Sequence, residues 1–157
     1  MIRWIVLAIA LLLAGCGGKV IADDYAGPTA IVRDSYANHR KGDFFTTGAV
    51  QVFALSHVDG RFVENGSLKT GYASIGSVYG LGLKPKAFER RVPAKAMKVK
   101  IMGVIHYTGR EPSIRVQHEV QFHPVAGQTY IVRGSIDESS SDSSVWIETA
   151  GGKRVTE

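Results

Sequence analysis

The chain has 157 residues, with 19 Lys and Arg against 14 Asp and Glu and a formal net charge of +5. That length makes one ordinary domain and is enough to bury a core unaided. The charge excess is too small to imply nucleic acid as a partner, and a single cysteine, Cys16, excludes an intramolecular disulfide.

In chain order, one positive side chain, Arg3, precedes an apolar run from Ile5 to Leu13, and the small residues Ala14 and Gly15 lead to Cys16. A charged start, a short apolar core and small residues at a boundary make a secretory signal peptide. The run from Ile2 to Ala14 falls short of the ~20 apolar residues that span a bilayer as a helix. The tetrapeptide Leu13-Ala14-Gly15-Cys16 resembles the lipobox of bacterial lipoproteins. The resemblance implies cleavage before the cysteine, a diacylglycerol on its sulfur and acylation of its new amine. Several acyl chains together anchor stably, whereas one alone binds reversibly. Residues 1–15 are then the signal peptide, Cys16 the lipid-attachment residue, and residues 16–28 a lipidated tether rich in Gly, Asp and Pro. Gly17 stands where an aspartate would resemble an inner-membrane retention signal, so the expected location is the outer membrane, facing the periplasm. Cleavage removes 15 of 157 residues and leaves 142; losing Arg3 leaves 18 basic against 14 acidic side chains, or +4.

From Thr29 the pattern is that of strands. "TAIVRD" reads as the first. "FFTTGAVQVFALSHV", Phe44 to Val58, is long and apolar in both parities, as expected of a strand covered on both faces. Asp59-Gly60 and Asn65-Gly66 are tight-turn signals. Ser67 to Leu83 is Gly-rich and reads as a bent strand or an ordered loop. In "KVKIMGVIHY", Val99, Ile101, Ile105 and Tyr107 share a face. "IRVQHEVQF" turns Ile114, Val116, Val120 and Phe122 inward and Arg115, Gln117, Glu119 and Gln121 outward. The turn formers between them predict a hairpin, taken with Tyr107 opposite Ile114. "TYIVRGSI" and "SVWIET" follow, separated by a polar turn, Asp137 to Ser144. No helical stripe or internal repeat stands out after Cys16. Many short strands and turns predict an all-β domain over residues 29–157, an antiparallel β-sandwich, with a small β-barrel as the alternative.

"FHPVAGQTYIVRG" with "SSVWIETAGGKRV", and "AGPTAIVRDS" with "DFFTTGAVQVFALSHVDGR", resemble segments of small Gram-negative lipoproteins of unassigned function. That resemblance implies an immunoglobulin-like or transthyretin-like sandwich and no activity, since a fold by itself assigns none.

The chemistry is sparse. His39, His57, His106, His118 and His123 lack the short spacings of zinc ligands, and His118, opposite Gly103 in the assumed hairpin, reads as a tucked core residue. "GYASIG" misses the spacing of a serine nucleophile elbow, and "GLGLKP" lacks the third glycine of a dinucleotide loop. Asp23-Asp24 is followed by no calcium-type loop. No catalytic, metal or cofactor residue is assigned, and no cofactor is expected. Two features remain. Trp146 sits beside Glu148 on a wet face and is the candidate partner anchor, as tryptophan is enriched in interface hot spots. The segment Lys84 to Lys100 is strongly basic, and Lys84, Lys86, Arg90, Arg91, Lys98 and Lys100 are the candidate contacts for an anionic surface. The expected function is that of a lipid-anchored cell-envelope protein, binding or structural and without catalytic activity. Its expected partners are the membrane through the anchor and an envelope protein, peptidoglycan or an anionic lipid surface. The alternative is an inhibitor of a hostile enzyme such as a lysozyme, which a protruding Gly- and Tyr-rich loop from Tyr72 to Gly82 would favour; an enzyme is the least favoured class.

Overall fold

The computed structural model describes residues 20–21, 25–42, 46–75, 82–108, 113–138 and 142–156. The alternating segments are strands: β1 (Thr29–Arg33), β2 (Ser35–Arg40), β3 (Ala49–Val58), β4 (Arg61–Phe62), β5 (Glu89–Pro93), β6 (Met97–Tyr107), β7 (Ser113–Phe122), β8 (Thr129–Ser135) and β9 (Ser144–Thr149). One helix, α1 (Gly66–Ile75), lies among the described residues. The strands form two sheets, β5-β1-β8-β9 and β2-β3-β6-β7, with β4 paired to β3. The sandwich expected from the sequence is therefore the fold. One pair departs from the antiparallel expectation: β1 runs parallel to β8, with Ile31 opposite Thr129 and Arg33 opposite Ile131. The two strands are far apart in the chain, so no hairpin constrains their direction.

The main core lies between the sheets. Val32, Val92, Val132 and Ile147 come from one side, and Phe53, Leu55, Val99, Ile101 and Phe122 from the other. Burying each of these side chains contributes about 1.5–3 kcal/mol. Val50 and Val52 point to the opposite side of β3 and cluster with Leu83, where α1 also packs. β3 is thus buried on both faces, as its apolar residues in both parities predict. Ahead of β1, Val20 packs against the main core.

Asp59 and Gly60 both have positive φ, 46° and 76°, and close the β3–β4 hairpin. A turn of this hand matches the twist of the strands, and glycine adopts it without a steric penalty. Asn65-Gly66 is different. The expected tight turn and the bent strand or loop after it are replaced by α1 and its cap. The Asn65 side-chain oxygen accepts from the Leu68 amide at 3.2 Å, and its carbonyl accepts from Lys69 N. Asparagine favours both turns and helix N-caps, so the dipeptide alone does not separate them. Gly66 is required by close approach: a Cβ there would lie 2.5 Å from the Lys86 carbonyl oxygen.

The hairpin β6–β7 forms, but its register differs from the assumed one. Ile101 faces His118, Gly103 faces Val116, and a bulge then sets Val104 opposite Ile114. One extra residue in β7 changes the phase of its first residues. Ile114 is consequently 64% exposed and does not point inward as the alternation predicts. His118 is exposed as well, on a strand at the edge of its sheet, and is not a tucked core residue. The strand expected from Phe44 begins at Ala49 among the described residues, and residues 43–45 lie outside them. Three strands are not predicted by the sequence: β4 has only two residues, and β2 and the basic β5 show no clean alternation of apolar residues.

Asp34 is the single residue between β1 and β2, where the chain passes from one sheet to the other. It is 2% exposed. Its carboxylate accepts from Arg90 Nη2 at 2.6 Å, Gly66 N at 2.6 Å and Leu55 N at 3.0 Å. Arg90 donates further to the Leu55 carbonyl and lies over the Phe88 ring. Burial raises the Asp34 carboxyl above its ordinary value, and Arg90 with the two amides opposes that rise. Removing one member of such a pair leaves the other charge buried without compensation, at a cost of about 3–5 kcal/mol. Asp34→Ala is therefore expected to lose about that much stability in urea unfolding, while Asp34→Ala with Arg90→Met loses less than the single change. A single change costing under about 1 kcal/mol contradicts this account.

Candidate binding face

Cys16 lies outside the described residues. The six candidate basic contacts are described, and the fold separates them. Lys84 and Lys86 are exposed ahead of β5. Arg90 is 8% exposed and committed to Asp34, so its assignment to a surface is corrected: a guanidinium in this segment is needed inside to neutralise a buried carboxylate. Arg91 faces out from the first sheet. Lys98 and Lys100 face out from the second, because Val99 and Ile101, which alternate with them, point into the core. Lys98 pairs with Glu119 at 2.6 Å, which raises the ammonium pKa and lowers that of the carboxyl. The segment therefore forms no single basic surface.

The fold assembles another one. In the first sheet Val32, Val92, Val132, Val145 and Ile147 point into the core, so their strand neighbours point out. Three rows of side chains result. Arg91, Ile31 and Thr129 lie in the first. The second crosses all four strands as Glu89, Arg33, Ile131 and Glu148, and the third pairs Arg133 with Trp146. Arg154 joins from beyond β9. There the chain folds back, Val155 N donates to the Ile147 carbonyl, and the Arg154 backbone pairs antiparallel with that of Glu148. Four arginines thus share one face with two glutamates, a net of +2.

Each arginine is positioned by a contact within the face. Arg33 Nε donates to Glu89, and Arg133 Nε to Glu148 at 3.1 Å. Arg154 stacks on the Trp146 ring with its guanidinium carbon 4.8 Å from the centroid, and donates through Nε to the Thr156 carbonyl. Arg91 Nη2 donates to Thr29 Oγ1. Exposed pairs of this kind add about 0–1 kcal/mol each to stability; their effect is to hold the guanidinium groups in place. Trp146 is half-buried, and its indole N–H donates to Glu148 Oε2 at 3.1 Å. It lies beside Glu148 as the sequence predicts, and Arg154 covers part of it.

Arg33, Arg133 and Arg154 were not singled out from the sequence. One signal was available for two of them: the tripeptide Ile-Val-Arg occurs at 31–33 and at 131–133. Each copy buries its valine completely and turns its isoleucine and arginine outward. Arg154 carried no such signal, because its place depends on the chain folding back past β9.

Among the described residues no group of three or more His, Cys, Asp or Glu side chains is placed to hold a metal ion. Of the Gly- and Tyr-rich stretch, Tyr72 is 70% exposed on α1 and residues 76–81 lie outside the description. One pair with chemical potential was invisible in the sequence: Ser67 Oγ lies 2.9 Å from His106 Nε2. That is the spacing of a nucleophile and its base. Both residues are buried, however, so the contact fastens α1 to β6.

Burial pushes the His106 imidazole down to about 4 from an ordinary 6.5. Above pH 6.5 the ring is neutral in both folded and unfolded chains and stability is unaffected. As pH falls from 6.5 towards 4 the unfolded chain takes up a proton that the fold refuses. Stability therefore decreases, by at most about 1.4 kcal/mol per unit and about 3 kcal/mol in total. Denaturation at several pH values is expected to show this slope in the wild type and a flatter one in His106→Gln; equal slopes would assign the loss to other groups.

Comparison of the chain with protein-family models, with curated proteins and with solved structures finds no match in any of the three.

Proposed function

We propose that the protein is a lipid-anchored component of a bacterial cell envelope, a binding domain without catalytic activity of its own. The observation that carries this reading is the tetrapeptide Leu13-Ala14-Gly15-Cys16 at the end of a short apolar run, followed by a single β-sandwich. Lipid on Cys16 confines the domain to a membrane surface, which raises its effective concentration towards any partner there. The open face with Arg33, Arg91, Arg133, Arg154 and Trp146 supports a role in binding. Arginine and tryptophan are the side chains most often found at the energetic centre of interfaces. The described polar clusters with unusual environments, Asp34 with Arg90 and Ser67 with His106, are buried and join elements of the fold.

Wild-type protein grown with a fatty-acid probe carries the label and fractionates with the outer membrane, whereas Cys16→Ala is unlabelled and uncleaved at this site. Intact mass of the membrane-extracted wild type showing an unmodified Cys16 thiol would overturn it.

A further inference from the structure

We infer that the outer face of the β5-β1-β8-β9 sheet docks on the phosphate headgroups of an anionic bilayer, with Arg33, Arg91, Arg133 and Arg154 as phosphate contacts and Trp146 at the headgroup level. This rests on the anchored reading above and names the partner of that anchored domain.

The positive charges in these rows are arginines, whereas Lys98 and Lys100 lie on the second sheet. A guanidinium binds phosphate through two parallel N–H bonds, which a lysine ammonium cannot do. In Arg33, Arg133 and Arg154 the contact to the protein runs through Nε. The Nη ends of those three forks carry the remaining N–H donors. Two isoleucines, Ile31 and Ile131, sit half-buried among the arginines, so the face also offers apolar surface between its charges. Trp146 has the ring-and-N–H character that places tryptophan at membrane interfaces.

On the anchored reading, a short tether keeps the domain near the bilayer. The chain enters the sandwich at Thr29, on β1 of the same sheet, and Arg91 bonds to that residue. Val20 already packs on the core. Cys16 is only four residues before it, at most about 14 Å of extended chain. Salt screens exposed charges beyond about 8–10 Å; a tether this short lets the face come within that distance of the headgroups far more often than a free domain would. The other sheet is a poorer candidate: α1 and Leu83 cover β3 on its outer side, and Lys98 there is neutralised by Glu119.

The test uses the mature lipidated protein on vesicles of phosphatidylcholine, with and without added phosphatidylglycerol. The sequence has two tryptophans, Trp4 and Trp146. Removal of the signal peptide leaves Trp146 as the sole indole, so its fluorescence reports on this face directly. Quenching by a headgroup-labelled lipid is expected to rise with phosphatidylglycerol and to fall with salt. Arg33→Gln with Arg133→Gln is expected to shift the quenched population about 30-fold, at roughly fivefold for each basic side chain. Lys84→Gln with Lys86→Gln leaves it unchanged. Flotation with the vesicles reads the anchor separately. Protein that floats while Trp146 stays unquenched, or is quenched equally on neutral vesicles, overturns the docking and leaves the anchored reading standing. Failure to float overturns both. Retention on purified peptidoglycan that depends on the same arginines, without quenching on vesicles, assigns the face to the wall polymer and overturns the lipid proposal.

Discussion

The buried contact between Asp34 and Arg90 ties together more of this fold than any other described interaction. Asp34 stands where the chain leaves one sheet for the other, and its two oxygens collect β3 through Leu55, α1 through Gly66 and β5 through Arg90. A carboxylate in that position would be strongly disfavoured by desolvation alone, and the guanidinium with two amides offsets it. Within the pair one group is left over: Arg90 Nε has no hydrogen-bond partner. The contribution of such a pair lies less in net stability than in geometry, because few arrangements of four elements satisfy both charges at once. A basic residue drawn into the interior in this way is also one fewer on the surface.

The same junction determines which faces of the sandwich stay open. Gly66 both donates to Asp34 and starts α1, so the helix is held at its first residue to the point where the sheets meet. Asn65 caps it, Ser67 fastens it to His106 on β6, and Leu83 beyond it covers Val50 and Val52. The outer side of the second sheet is covered there as a result. Nothing comparable is described over the first sheet, where arginines, two isoleucines and Trp146 lie in rows across four strands. Neighbouring strands lie about 4.8 Å apart, so charges from distant parts of the chain become close neighbours.

Much of the fold was legible in the pattern of side chains. β1, the central part of β3, β6, β8 and β9 appear where alternation or a fully apolar run predicts them, and two sheets enclose the core. The failures have particular causes. α1 is short, and its signal at Asn65 is shared with tight turns. β5 reads as a charge run because its inward residue Arg90 is itself charged. In β7 a single bulge reverses the phase before Val116, so Ile114 faces solvent although it continues the apolar alternation. Period-two reading assumes an unbroken ladder, and one inserted residue is enough to defeat it.

By itself the sequence determined the features that depend on neighbours in the chain: the strands β1, β6, β8 and β9 with their inward and outward residues, the doubly covered β3, and the turn at Asp59-Gly60. Those follow from local sterics and from side-chain period, which need no knowledge of distant contacts. Only the tertiary structure decided the rest. It paired Asp34 with Arg90, 56 residues away, and set Ser67 against His106, 39 residues away. It divided the basic segment between two opposite faces and gathered Arg33, Arg91, Arg133 and Arg154 on one of them. Strand order and register place residues beside each other without regard to their separation in sequence, so a surface assembled across strands can be read only after the sheets are known.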